Sequence, residues 1–180
     1  MRSLHRNGAI ELAAVVSGGE RQRGRHGERI GSRTQSRRDT ARAMSQDNVE
    51  RARDGYAALS VAMRSGDLDA YFREYVHPEI EWVPLKGALD VDVSAGHDEV
   101  KGRFLTMFEV MGSPEIEAGE IIDAGDKVVV AIRISGRGKG SGIDIDASWF
   151  HVLTPRDEKV ARIEWYATRA EALEAAGLSE

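Results

Sequence analysis

Apolar residues recur at steps of three and four between residues 45 and 75, which is the spacing of an amphipathic helix. Ser45 or Asp47 is suited to cap a first helix, and Gly66 to end it. Asp67 is suited to cap a second helix, which ends before Pro78. The apolar positions of the two helices are Val49, Ala52, Tyr56, Leu59 and Met63, followed by Leu68, Tyr71, Phe72 and Tyr75. The pattern therefore predicts a helical hairpin.

A short strand at 80–83 and a third helix, opening at Asp98, follow the hairpin, and the apolar period then changes to two. This period predicts strands over 116–122, 128–134, 143–154 and 160–166. A capping box of Thr168 and Glu171 opens a last, short helix. Because short links join the last four strands, we expect them to pair antiparallel. The predicted fold class is α+β, with helices on one face of a curved antiparallel sheet.

Charge divides the chain near residue 43. Residues 1–43 hold ten Arg and four acidic residues, a net charge of +6, whereas residues 44–180 have a net charge of −11. The basic segment has no aromatic residue and too few apolar residues to bury a core, so we predict a disordered extension followed by one domain over 44–180. Met44 resembles an ordinary start, so the extension need not be native. A transit peptide and a nucleic-acid-binding arm are the alternatives for residues 1–43.

Composition argues against several classes of function. The chain has no Cys, which excludes a disulfide framework, a cysteine nucleophile and a thiolate metal site. No run approaches the roughly 18 consecutive apolar residues that a membrane-spanning helix needs. The acidic domain lacks the basic face that nucleic acid requires. His77, His97 and His151 are far apart in sequence and form no metal signature, so we expect neither a metal nor a cofactor.

A series of short motifs runs through the acidic domain in a fixed order. They are Val49-Glu50, Tyr56-Ala57-Ala58-Leu59, Gly66-Asp67-Leu68-Asp69-Ala70, His77-Pro78-Glu79-Ile80-Glu81-Trp82, Gly96-His97-Asp98-Glu99-Val100, Asp123-Ala124-Gly125-Asp126-Lys127-Val128-Val129-Val130 and His151-Val152. Over about residues 44–178 this order resembles the SnoaL-like group of small bacterial proteins, in the nuclear transport factor 2-like superfamily. The resemblance implies a cone of three helices against a strongly bent antiparallel sheet, with a largely apolar pocket. It also implies a small apolar organic ligand, a homodimer and a cytoplasmic location.

The superfamily contains polyketide cyclases, ketosteroid isomerase, a dehydratase and an epoxide hydrolase, so the fold does not determine the chemistry. The resemblance puts the two acids of ketosteroid isomerase at Val83 and Phe150, and both acids are missing here. His151 matches a cyclase catalytic position, and Tyr166 stands where the cyclases have an Asp. We therefore predict His151, Tyr56 and Tyr166 as catalytic residues, with neutral His151 as the base for proton transfer next to a carbonyl.

Five further residues are predicted to bind the ligand: Trp82, Phe104, Arg133, Trp149 and Phe150. The strand alternation leaves one alternative open, because His151 and Phe150 point to opposite faces. If the Phe150 face lines the pocket, His151 and Trp149 belong to the outer face or to a dimer contact. The main hypothesis is a small-molecule-binding protein with cyclase, isomerase or hydrolase activity. A non-catalytic binding module and a dimerisation module of the same fold are the rivals.

Overall fold

The computed structural model of the protein describes residues 25–86, 92–112 and 114–179. The chain divides into two units, Met1–Arg38 and Asp39–Glu180. In the first unit, the described residues are helical from Arg25 onward. Residues 1–24, which belong to the predicted disordered extension, lie outside the described residues, and the division of the chain at residue 44 stays a prediction. Apart from the first residues of helix α1, the features discussed below belong to the second unit.

Helix α1 covers Arg25–Ser65. The predicted start at Ser45 or Asp47 is wrong, because the helix already begins upstream of both residues. The preceding residues contain no proline, and their Arg, Gln and Ala are good helix formers. Ser45 instead lies inside the helix, where its hydroxyl is hydrogen-bonded to the Asp123 carboxylate. The predicted stripe is confirmed, because its residues are buried or pack against the core. Gly66 ends the helix with φ +78°.

Helix α2 covers Leu68–Tyr75, and helix α3 covers Gly96–Met111. The Asp67 side chain caps α2 by accepting a hydrogen bond from the backbone N–H of Ala70 at 3.2 Å, as predicted. Phe72 of α2 meets Phe104 of α3 edge to face, with ring centroids 6.1 Å apart. The helical hairpin and the third helix thus share one apolar core.

Six strands form one sheet: β1 (Val76–Val83), β2 (Ser94–Ala95), β3 (Glu115–Asp123), β4 (Val128–Arg137), β5 (Asp144–Arg156) and β6 (Lys159–Tyr166). Their order across the sheet is β2-β1-β6-β5-β4-β3. Strands β3 to β6 pair antiparallel with their neighbours along the chain, as their short links require. Strand β1 pairs parallel with β6, so the sheet is mixed. The α+β class with a curved sheet is confirmed.

The two faces of the sheet carry separate clusters of apolar residues. The concave face packs against α1, α2 and α3 through β4 residues Val128, Val130, Ile132 and Ile134, together with Leu153 and Ile163. The opposite face presents Val129 and Val152 to the last helix, α4 (Arg169–Ala175). The predicted capping box of Thr168 and Glu171 opens α4. Register irregularities interrupt three of the strand pairings, which bends the sheet around the helices.

Candidate functional site

Tyr56 and His151 meet between helix α1 and the concave face of the sheet. The phenolic oxygen of Tyr56 lies 2.5 Å from Nδ1 of His151. Tyr56 belongs to the buried stripe of α1, while the alternation of β5 puts His151 on the face that also carries Leu153. Only 8% of Tyr56 and 4% of His151 is exposed. These two residues form a buried hydrogen-bonded pair, called the dyad below.

Burial keeps both rings of the dyad uncharged at neutral pH. It lowers the pKa of His151 to about 3, because a charged imidazolium would lose its hydration in this apolar setting. Burial, and then the neighbouring Tyr71 phenol, raise the pKa of Tyr56 well above its ordinary value. The dyad therefore offers a neutral imidazole and a neutral phenol, which can exchange or share protons but carry no charge.

The hydrogen bond between the two rings determines where His151 carries its proton. A phenol is a stronger acid than a neutral imidazole N–H, and an imidazole nitrogen is a stronger base than a phenol oxygen. Tyr56 therefore donates to Nδ1, which leaves the single proton of His151 on Nε2. Nε2 is buried and has no hydrogen-bond partner among the described residues.

A small cavity adjoins the dyad on the side of α1 and α2. Its volume is about 50 Å³, and its walls include Tyr56, His151, Tyr71 and Phe104. A cavity of this size has room for one or two water molecules. Organic ligands usually occupy roughly 300 to 1,000 Å³. This inner cavity is thus too small in the described conformation for an organic ligand.

A larger apolar groove lies between helix α3 and the ends of three strands. It has a volume of about 410 Å³ and is called the tryptophan groove below. Its walls include all three Trp residues of the chain, with residues of α3 opposite: Trp82, Trp149, Trp165, Phe104, Met107 and Met111. No Asp or Glu lines the groove within the described part of the chain. Its volume and its lining are those of a site for an apolar molecule.

Trp165 connects the groove to the dyad. Its ring centroid lies 4.2 Å from that of His151, and 5.8 and 5.9 Å from those of Trp82 and Trp149. Phe104 lines both the groove and the inner cavity. The dyad is therefore separated from the groove by little more than the rings of Trp165 and Phe104.

The structure brings together five of the eight residues predicted for the site. Tyr56 and His151 form the dyad, while Trp82, Phe104 and Trp149 line the tryptophan groove. These placements resolve the open question of the β5 faces, because His151 and Trp149 lie on the concave face. His151 and Trp149 are therefore not outer-face contacts of the kind that the dimerisation hypothesis required. A homodimer stays a prediction.

The other three predicted residues lie away from the dyad and the groove. Phe150 and Tyr166 pack in the cluster under helix α4, on the opposite face of the sheet. Arg133 is exposed and makes two hydrogen bonds to the Asp146 carboxylate, at 2.8 and 2.7 Å. A second carboxylate, that of Glu117, lies 3.6 Å from the Arg133 guanidinium. Arg133 therefore belongs to a surface ion-pair network, since its strand alternates Arg133 outward and Ile132 inward.

Sequence analysis did not select Trp165, Met107 and Met111 as site residues. The alternation of β6 could have predicted Trp165, because this residue lies two positions after the buried Ile163 and therefore on the same face of the strand. The two methionines are apolar residues of α3 that pack against the core, and a helical apolar stripe does not distinguish a groove from the core.

No helix of the described residues is long and apolar enough to cross a membrane. Among those residues, no three candidate ligands cluster to hold a metal ion.

Comparisons with known proteins agree with this architecture. A family model for the SnoaL-like domain matches residues 52–163, so the chain belongs to the SnoaL-like domain family. TerC, co-crystallised with polyporic acid, is 25% identical, with a TM-score of 0.56; the match covers 73% of this chain and 98% of TerC. Two further structures show the same fold. No match was found among curated proteins.

The first of these structures is a candidate SnoaL-like polyketide cyclase from Jannaschia sp. CCS1. It is 21% identical, with a TM-score of 0.56, and the match covers 73% of this chain and 91% of that one. The second is a protein with a ketosteroid isomerase-like fold from Catenulispora acidiphila, in complex with trimethylamine. It is 16% identical, with a TM-score of 0.53, and the match covers 68% of this chain and 91% of that one.

Proposed function

We propose that this protein binds a small, mostly apolar organic molecule in the tryptophan groove. The observation that carries the proposal is a groove of about 410 Å³ walled by every Trp of the chain. Indole rings provide large, rigid apolar contacts at a small cost in conformational entropy. The complex of TerC with polyporic acid supports an organic ligand for this fold.

The position of the dyad supports the same site. The inner cavity beside the dyad holds only about 50 Å³, so of the two apolar spaces that Phe104 lines, the groove is the one with room for the body of a ligand. The dyad then lies behind Trp165, whose ring both lines the groove and contacts His151. Apolar contacts in the groove supply the affinity.

Tetralin, an apolar bicyclic hydrocarbon, is a suitable probe of the groove. Because all three Trp residues line the groove, every indole emission reports on it, and we expect a blue shift as tetralin displaces water. The Met107→Lys variant places a charge in the groove wall and should reduce tetralin affinity by at least about tenfold. Titrations followed by Trp fluorescence and by calorimetry measure both effects.

Leu105→Lys is the matched control for this experiment. Leu105 lies on the same helix, two residues from Met107, but it is 49% exposed and does not line the groove. This control should bind tetralin as the wild type does. Equal loss of binding in both variants, or tetralin binding that leaves the Trp emission unchanged, would contradict a ligand site in the groove.

A second candidate function is proton transfer by His151 next to a ligand carbonyl. The neutral state of His151 favours it, because only an uncharged imidazole can accept a proton, although its proton on Nε2 must first shift to Nδ1. As a base, His151 must present a lone pair on Nε2, which requires its proton to be on Nδ1. The absence of Asp and Glu from the described groove walls favours the binding function instead.

Deuterium exchange at C2 of 1-tetralone in D2O tests the catalytic candidate without a known substrate. In that exchange a base removes the C2 proton, the enolate forms, and a deuteron returns from solvent. The wild type should accelerate the exchange measured by NMR, and His151→Gln should not. Tyr56→Phe should raise the rate further, because it removes the donor that keeps the His151 proton on Nε2. Exchange at the same rate in the wild type and His151→Gln would rule out His151 as the base.

A further inference from the structure

A single charged residue lines the tryptophan groove. Among the described residues of its wall, Arg103 of helix α3 is the only one with an ionisable side chain. The others are apolar, except for the uncharged Thr106. Arg103 is half-buried, and a guanidinium keeps its charge at every pH at which proteins are folded. The groove therefore carries one permanent positive charge.

The side chain of Arg103 is held at the edge of the groove by strand β2. Its Nε donates a hydrogen bond to the hydroxyl oxygen of Ser94 at 3.0 Å, and Ser94 is only 3% exposed. Ser94 lies directly opposite Trp82 in the antiparallel pair of β1 and β2. Opposite residues of such a pair direct their side chains to the same face of the sheet. The guanidinium therefore lies beside the part of the groove wall that Trp82 forms.

No carboxylate of the described residues neutralises Arg103. Two acidic residues that are close in sequence to Arg103 or to Trp82 are engaged elsewhere. Glu99, about one helical turn before Arg103, accepts a hydrogen bond from the backbone N–H of Ala95 at 2.9 Å. Glu81 points to the opposite face from its neighbour Trp82 and pairs with an arginine of β6 there. Other arginines of the domain do pair with carboxylates: Arg51, Arg133, Arg137, Arg156, Arg162 and Arg169.

The hydrogen bond to Ser94 leaves the far end of the guanidinium available. Ser94 engages Nε, whereas the N–H groups on Nη1 and Nη2 have no acceptor within the described part of the chain. One N–H on each of these nitrogens points in the same direction, and this parallel pair matches the two oxygens of a carboxylate. Because Ser94 already restrains the Arg103 side chain, less conformational entropy is lost when such a group binds.

We propose that the ligand of the tryptophan groove is an organic acid bound as its carboxylate anion, and that Arg103 selects it by donating from Nη1 and Nη2 to both carboxylate oxygens. The inference rests on the proposed function and adds the charge of the ligand. The apolar body lies against the indole rings, and the carboxylate lies at the Arg103 edge. Ser94 is the positioning residue for Arg103. An organic cation is disfavoured, because Arg103 repels it and the described groove walls contain no Asp or Glu.

Tetralin-1-carboxylate and its neutral amide, tetralin-1-carboxamide, test the inference, because they share one ring body and have nearly the same shape. Hydrogen bonds that involve a charged acceptor contribute more than neutral ones, so the carboxylate should bind about tenfold more tightly at pH 7 and low salt. Calorimetry measures both affinities, and their ratio is called the carboxylate preference below. In Arg103→Gln this preference should fall to about one or lower. Taking the ratio within each variant cancels a general loss of affinity.

Lys101→Gln is the matched control. It removes the same single charge from the same helix, but Lys101 pairs with Asp69 and does not line the groove. This control should keep the wild-type carboxylate preference. Arg103→Lys retains the charge without the parallel pair of donors, so its preference should lie between those of the wild type and Arg103→Gln. Ser94→Ala retains Arg103 but removes its anchor, which should lower the preference about twofold.

The outcomes separate the inference from the proposed function. Equal affinity of the wild type for the carboxylate and the carboxamide would overturn the inference, while binding of tetralin still supports the proposed function. Equal loss of the preference in Lys101→Gln and Arg103→Gln would also overturn it, because only the net charge would then matter. Failure of tetralin and of both derivatives to bind would count against the proposed function itself. An unchanged preference in Ser94→Ala would show that Ser94 does not position Arg103.

Discussion

Lowering the pH from 7 to 5 is expected to reduce the free energy of unfolding by about 2 kcal/mol through His151 alone. The ordinary histidine pKa of 6.5 applies to the unfolded chain, and burial lowers the pKa to about 3 in the folded protein. Between these two values the unfolded chain binds more protons than the folded protein. The stability contributed by neutral His151 is therefore complete above pH 6.5 and is lost as the pH falls toward 3.

Urea unfolding at pH 7, 6 and 5 measures this dependence. The His151→Gln variant has no titrating group at this position, so its stability should fall by about 2 kcal/mol less than that of the wild type over the same range. Tyr56→Phe is the matched control, because it removes the hydrogen bond to His151 but leaves the ring buried. This control should keep the wild-type slope. A wild-type slope in His151→Gln would contradict the assignment of the slope to His151.

The substitution Gly112→Ala is expected to destabilise the protein by about 3 kcal/mol. Gly112 follows helix α3 with φ +77° and ψ −89°, near the γ-turn conformation that L-residues rarely adopt because it is strained. A Cβ at this position would also lie 2.7 Å from the carbonyl oxygen of Arg137 in strand β4. Backbone atoms would have to move to relieve that contact, which adds to the cost of the strained backbone conformation.

Gly66→Ala is the comparison variant without a steric contact. Gly66 ends helix α1 with φ +78°, but a Cβ there meets no atom within 4 Å. This variant should therefore cost only about 1 kcal/mol. Equal costs in the two variants, measured by urea unfolding, would show that neither the contact with Arg137 nor the backbone strain at Gly112 adds to the cost. Because α3 carries Phe104, Met107 and Met111, we also expect Gly112→Ala to weaken tetralin binding.

Local patterns predicted most elements of the fold. The alternation of β4 gives Val128, Val130, Ile132 and Ile134 one face, and these are the residues that pack against the helices. The caps at Asp67 and Thr168 were predicted because an N-cap depends on only a few consecutive residues. The start of α1 was not predicted, since Ser45 has the chemistry of a cap but nothing before it breaks the helix.

The candidate site was predicted only in part, because its assembly depends on pairing between distant strands. Alternation grouped His151 with Trp149 and Leu153, but it could not show which face of β5 is concave. The parallel pairing of β1 with β6 brings Trp82 next to Ile163 and hence close to Trp165, and no local signal encodes that pairing. Tyr166 and Arg133 were selected for their chemistry, yet their strands direct them away from His151.

The parallel pairing of β1 with β6 also has a consequence for biosynthesis. Val76 pairs with Val160, about 80 residues later in the chain. Apart from the two residues of β2, β1 has no partner among the described strands until β6 is synthesised, which at typical elongation rates takes roughly 4 to 16 s. During that interval the edge of β1 is open to other nascent chains. Completion of the sheet, and with it the tryptophan groove, therefore waits for the synthesis of β6.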